Sequence, residues 1–323
     1  MNPYIGHISQ MNGIEEHRLV GGKGDGMRLL EVNNGLGLEL VVSPDRNNDI
    51  TRLRFGGINL SYFSPCGYVS PAYYDKKDFL RSFTAGFLTT CGLEAVGTPC
   101  VDEGEQLELH GSIANKPVDE VSYKREEDKL VITSVSYDEV IFGRKWKLER
   151  ILSVSLVENT FTLADTITNT NDQKQPLEVL YHMNMGYPLL DEDSVITIPS
   201  VDVIPRDDHA KENIDTWMTM QKPEAGYQEC CYYHKMKDSD TTVSIYQPKN
   251  DIQLSIHYDS SVLDGFVEWK MMGIRDYVLG LECGNCYPDG RDVMRKTGML
   301  KELEPGDSVH YEVTIAVQKG ESK

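Results

Sequence analysis

The chain has 323 residues, with 32 Lys and Arg against 51 Asp and Glu, for a formal net charge of −19. That balance, with no basic stretch to track a phosphate backbone, argues against nucleic acid as a partner and, more weakly, against anionic lipid or polyanionic substrates. No apolar run approaches the roughly 18 residues of a membrane-spanning helix, and the opening MNPYIGHISQMNG lacks a basic segment followed by an apolar core, so the expectation is a cytoplasmic protein with no membrane association.

In chain order, residues 1–35 read as an N-terminal extension or as edge strands of the main fold. From residue 36 onward one kind of unit recurs: a short run in which β-branched or aromatic residues alternate, closed by Gly, Asn, Asp or Pro. LGLELVVS (36–43), KLVITSVSY (129–137), ILSVSLV (151–157), TFTLADTIT (160–168), LEVLYHMN (177–184), TTVSIYQ (241–247), IQLSIHY (252–258) and YEVTIAVQ (311–318) all have this form. Between them lie turn signals such as VENT (157–160), TNTNDQKQP (168–176) and PGD (305–307). Helical periodicity is confined to short segments near 75–82 and 289–296. The expected fold class is all-β, a large antiparallel β-sandwich spanning 1–323 as a single domain, because no linker-like stretch interrupts the strand punctuation.

Seven cysteines, an odd number scattered through a long chain, suit reduced thiols better than a disulfide framework. Cys283 and Cys286 have Cys-x-x-Cys spacing, but a turn, YPDG, comes after them where a redox pair would open a helix. A zinc site would need further ligands such as Cys230, Cys231 and His234, so two reduced thiols in a loop are the simpler reading. The acidic run Asp191-Glu192-Asp193 reads as a solvated turn rather than a calcium site. No phosphate loop, nucleophile elbow, dinucleotide fingerprint or HExxH occurs, and neither metal nor cofactor is expected.

Four ionisable side chains stand out along these segments. Glu282 ends DYVLGLE, where partial desolvation raises a carboxyl toward a usable proton-transfer range. His182 lies in LEVLYHMNMGYPLLD, where alternation puts Val179, Tyr181 and Met183 on one face and Leu180, His182 and Asn184 on the other; a histidine there finds a buried partner or faces a cavity. His110 ends LELHG, before a loop. Arg81, in DFLRSFTAGF, can offer a fork of donors to hydroxyls, or pair with an acidic neighbour.

Taken in order, these segments resemble the aldose 1-epimerase-like (galactose mutarotase-like) superfamily from about residue 36 to 318. The resemblance is carried by VVSPDRNNDITRLRFGGINLSYFSPCG, RSFTAGFLTTCGL, LHGSIANKP, YHMNMGYPLLD and YVLGLECGNCYPDGR. It implies a sugar cleft lined by His110, His182 and Glu282, with Arg81, Asn184 and Arg46 as substrate contacts and a small-molecule sugar as partner; a homodimer is compatible with it. Two departures from the branch of that superfamily which the chain most closely resembles are Cys283, where that branch often carries proline, and Asn47, where glycine is expected.

Interconverting anomers requires a proton off the C1 hydroxyl and one onto the ring oxygen, which is paired acid and base chemistry. The expected roles are Glu282 as base, protonated His182 as acid and His110 as hydrogen-bond partner of the ring oxygen, with an imidazolium and a carboxylate holding each other ionised. Tyr181, Tyr187, Trp217 and Trp269 are candidate stacking residues. Two alternatives remain open at this level: another sugar epimerase or isomerase using the same cleft, and a non-catalytic carbohydrate-binding protein. Arg46, Arg81 and Arg291 leave room for an acidic or sulfonated sugar if they converge.

Overall fold

The computed structural model describes residues 3–320. Three antiparallel sheets carry the architecture. A five-stranded sheet is built in sequence order from Gly13–Arg18, Arg28–Asn33, Leu38–Ser43, Asp49–Phe55 and Ile58–Asn59. Of the strands before residue 36, Gly13–Arg18 is an edge of this sheet, whereas Arg28–Asn33 lies inside it, paired on both sides. An eight-stranded sheet runs in the order Val195–Thr197, Asp240–Gln247, Ile252–Asp259, Ser308–Lys319, Thr160–Asn169, Lys145–Ser155, Lys129–Glu139 and Glu120–Arg125. The third takes the path Ser200–Pro205, Cys230–Met236, Gly265–Met272, Tyr277–Gly284, Gln175–Met185 and Lys301–Leu303, with Leu88–Leu93 also paired to Gln175–Met185.

All eight runs singled out by alternation are strands, and burial shows why. Along Thr160–Asn169 partly exposed and buried residues alternate at every step, so one face of the eight-stranded sheet meets solvent and the other the core. Gln175–Met185, Tyr277–Gly284 and Leu88–Leu93 are instead buried on both faces over nearly their whole length. Their inner face joins one continuous apolar cluster with the other sheets. Their outer face is covered by connecting segments, and the site lies there. Of the two helical candidates, Arg291–Thr297 is a two-turn α-helix, whereas 75–82 contains only the 3-10 turn Phe79–Arg81; a short helix, Asp208–Glu212, has a capping Asp207 but too little apolar periodicity to be noticed.

A polar knot crosses the core. Arg150, 1 % exposed, donates to both carboxylate oxygens of Asp165, to Asp49 Oδ1, to the Thr90 hydroxyl and to the Asn47 carbonyl, each at 2.8–3.0 Å. Tyr181 donates to Asp165 from the same cluster at 2.8 Å. One guanidinium thus links all three sheets, and the two carboxylates hold its pKa above the usual arginine value despite burial.

Candidate active site

The outer face of the third sheet forms the floor of a cleft of about 270 Å³. Register decides what points into it. Glu282 stands opposite Val267, and His182 lies between the pairs Tyr181–Cys283 and Met183–Leu88, opposite Thr89. Glu282, His182, Val267, Trp269 and Cys231 therefore share the outer face, while Tyr181 and Cys283 turn inward to the core. Gly280 precedes Glu282 by two positions on the same face. A Cβ there would lie 2.1 Å from Glu282 Oε1, so the glycine makes room for the carboxyl.

His182 Nε2 lies 3.2 Å from Glu282 Oε1, and both side chains are almost fully buried. Neither Glu282 Oε1 nor His182 Nδ1 has an aligned hydrogen-bond partner among the described residues, which leaves polar capacity for a ligand. Edge-to-face contacts with Phe83 at 5.5 Å and Trp269 at 5.3 Å enclose the imidazole.

His110 arrives from the loop after Glu105–Leu107 with φ of 59°, a left-handed conformation that its backbone contacts hold in place. Its N–H donates to the Gly97 carbonyl at 3.2 Å and its carbonyl accepts from Gly92 at 3.1 Å. The Gly97 N–H donates back to the imidazole at 3.3 Å, so Nδ1 is an acceptor and the proton sits on Nε2. Glycine is required on both sides of this cradle: a Cβ on Gly97 would meet the Pro288 carbonyl oxygen at 2.0 Å, and one on Gly111 the Gly92 carbonyl oxygen at 2.3 Å. The two imidazoles meet edge to face at 5.6 Å.

Electrostatics differ from the expected ion pair. Burial pushes His182 down to about 3, with His110 adding to the effect, and burial followed by the nearby Arg206 pushes His110 down to about 4. Burial, assisted by Glu229, lifts Glu282 well above the usual carboxylate range. Desolvation outweighs the attraction between the partners, so the pair is a neutral acid beside a neutral base rather than imidazolium and carboxylate.

The other expected contacts divide. Arg81 is 86 % exposed and pairs with Asp78 outside the cleft. Arg46 is buried elsewhere, donating to the Val69 carbonyl at 3.2 Å, and burial lowers its pKa to about 10. Asn184 is fully buried and donates to the His182 carbonyl at 3.1 Å, so it shapes the strand without lining the cleft. Arg291 donates to Asp102, Glu105 and the Glu94 carbonyl, so the arginines do not converge. Of the four aromatic candidates only Trp269 lines the cleft; Tyr181 faces the core, Trp217 packs on His234 and Tyr187 is exposed.

Sequence reasoning missed Arg206, Glu229 and the Phe79/Phe83 wall. Arg206 comes directly after Pro205 at the end of a strand, the kind of position that the sequence pattern suggests for Glu282, whose own strand continues to Gly284. Its Nη2 donates to Thr98 at 2.9 Å and its Nε lies 3.5 Å from Asp289. Glu229 accepts from Trp269 Nε1 at 2.7 Å. Asp191 and Asp193 pair with Lys249, all seven cysteines are free, and among the described residues no group of three or more His, Cys, Asp or Glu is arranged to hold a metal. A groove of about 310 Å³ on the N-terminal sheet, lined by Glu15, Glu31, Arg52 and Arg54, contains no imidazole. Among the described residues no helix is long and apolar enough to cross a membrane.

Known proteins match this architecture. The profile of a family described as "Domain of unknown function (DUF4432)" matches residues 24–317. A solved "putative aldose 1-epimerase" from Klebsiella pneumoniae superposes with a TM-score of 0.88 at 26 % identity, over 95 % of this chain and 83 % of that one. A galactose mutarotase-like protein from Clostridium acetobutylicum (TM-score 0.67, 15 % identity, 96 % and 99 % covered) shares the fold. So does a galactose 1-epimerase from Lactobacillus acidophilus (TM-score 0.62, 12 % identity, 96 % and 100 % covered). No curated protein sequence matches the chain.

Proposed function

Because the chain belongs to the DUF4432 family and has a galactose mutarotase-like fold, we propose that it is an aldose 1-epimerase, interconverting the anomers of a sugar by reversible ring opening. The observation that carries this reading is the His182–Glu282 pair, 3.2 Å apart on the floor of a sugar-sized cleft, which needs a single proton between its two members to serve as acid and base.

The reaction balances on that proton. Glu282 takes the proton of the C1 hydroxyl, His182 gives one to the ring oxygen, the C1–ring oxygen bond breaks and the C1 oxygen becomes the aldehyde carbonyl. Rotation about C1–C2 presents the other carbonyl face, and the reverse transfers close the ring. His110, neutral with its proton on Nε2, donates a hydrogen bond to the ring oxygen as negative charge develops there. Trp269 offers an aromatic face to the sugar.

The protonation preferences give this scheme a direction. After ring opening Glu282 holds a proton and His182 does not, which is the arrangement burial favours. Hydrogen bonds from a bound sugar stabilise carboxylate and imidazolium at the start, and the dry cleft favours the ring-opened arrangement. The test is anomeric exchange measured by magnetisation-transfer NMR over a panel of neutral, deoxy and acidic aldoses, with Glu282→Gln as control. Acceleration lost in the variant supports the reading; no acceleration with any sugar overturns it.

A further inference from the structure

The cleft has two chemically different walls. Phe79, Phe83 and Leu109 belong to one packed apolar cluster whose rings also touch the imidazoles, Phe79 on His110 at 5.3 Å and Phe83 on His182 at 5.5 Å. Leu80, 63 % exposed, extends that wall to the rim. Once His110, His182 and Glu282 are assigned to the anomeric centre, the polar side chains left in the lining, cysteine aside, are Thr98, Arg206 and Glu229. Thr98 already accepts from Arg206, and Glu229 already accepts from Trp269. Arg206 Nη1 has no hydrogen-bond partner among the described residues and remains a donor for the sugar.

An aldohexose presents hydroxyls or a hydroxymethyl group around its ring, and each needs a partner once water is expelled. Arg206 and Glu229 serve one wall. The wall of Phe79, Leu80, Phe83 and Leu109 has no side-chain donor or acceptor, so a hydroxyl buried against it loses its hydrogen bonds, whereas a methyl or methylene group is in its natural surroundings. Resting on the mutarotase reading, we propose that the substrate class is a deoxy aldose: the sugar position against this apolar wall carries hydrogen or methyl in place of hydroxyl, and Arg206 and Glu229 read the hydroxyls on the other side. The guanidinium is not a dedicated anion clamp, because the carboxylates of Asp289 and Glu229 already lie near it.

The test uses matched pairs: glucose with 6-deoxyglucose and 2-deoxyglucose, galactose with 6-deoxygalactose, mannose with 6-deoxymannose, each in D and L forms, plus glucuronate and galacturonate. The expected result is a kcat/KM for anomeric exchange of at least one deoxy sugar about 10–100-fold above that of its hydroxylated parent, the range an apolar pocket can deliver. Leu80→Gln places an amide at the rim and is expected to reduce that preference several-fold. If parents are accelerated at least as well as every deoxy analogue, the deoxy proposal falls and mutarotation stands. A uronate preferred over both, or a preference unmoved by Leu80→Gln, also overturns it. If no sugar is accelerated, the mutarotase reading itself has failed.

Discussion

The third sheet carries a histidine and a glutamate in contact twice, once on each face. On the outer face His182 and Glu282 meet at 3.2 Å over the cleft; on the inner face His234 and Glu268 meet at 3.3 Å. Burial lowers both His182 and His234 to about 3 and raises both carboxyls well above the usual range. The inner pair is sealed: Trp217 packs on His234 at 5.1 Å, Ser200 hydrogen-bonds His234 at 2.7 Å, and neighbouring Lys270 donates to the carbonyls of Thr216 and Thr219. Two pairs whose proton affinities burial shifts in the same directions thus differ in access. Perturbed proton affinity marks desolvation; only its coincidence with a cavity marks a place for substrate.

The widest separation of the pairs is expected in activity. Glu282→Gln and His182→Ala should each lower kcat by about 10²–10⁴ or more, whereas Glu268→Gln should leave it near wild type. Steady-state exchange rates decide this, and a large loss in Glu268→Gln would erase the distinction. Gly280→Ala comes next: by pushing on the Glu282 carboxyl it should cost about 10²-fold in kcat/KM while circular dichroism stays native.

The pH profile sharpens the comparison further. The working pair needs one proton, so kcat/KM should be flat through neutral pH. It should fall toward pH 3–4, where the imidazoles protonate, and on the alkaline side, where Glu282 ionises. A profile breaking at the ordinary histidine value near 6.5 would contradict the burial argument.

In stability the two pairs should behave alike. A carboxyl whose folded pKa is raised keeps its proton in the folded state while the unfolded chain releases it above about pH 4.3, so its contribution is lost as pH rises from there through the folded pKa. Glu268→Gln and Glu282→Gln both remove that loss, and each is expected to be neutral or stabilising by about 1 kcal/mol at pH 7 by urea titration. The smallest effect expected is Arg81→Ala: an exposed ion pair outside the cleft, with less than about a twofold change in rate.

The contrast also explains what the sequence can reveal. Alternation exposes the strands because one face of the eight-stranded sheet meets water, and it correctly puts His182 and Tyr181 on opposite faces. Glu282 and His110 are legible from the breaks that follow them in the sequence. The Glu282 strand nevertheless runs on to Gly284, which puts Cys283 in the strand rather than in a loop, and the strand before His110 already ends at Leu107. Arg81 draws attention by its place beside small residues, but that place puts it on the outside of the 3-10 turn, while the apolar Phe79 points inward. Arg206 and Glu229 come to the cleft through pairings between distant strands, and no local pattern encodes those. The proton affinities escape the sequence for a related reason. Attraction between two ionised groups can be imagined from a motif, whereas the aromatic enclosure that overrides it requires the 79–83 segment and the strand of Trp269 to be brought together around the histidines.

Arg291, which donates to Asp102, Glu105 and the Glu94 carbonyl, bears on the order in which the molecule is made. The His110 loop is synthesised long before the residue that fastens its flanks, with 189 positions separating Asp102 from Arg291. A nascent chain emerging from its N-terminus can pair the early strands, but Asp102 has neither Arg291 nor Arg295 to meet until residues beyond 290 leave the ribosome. The cradle around His110 is therefore among the last parts of the protein to close, and a truncated product should lack an organised cleft.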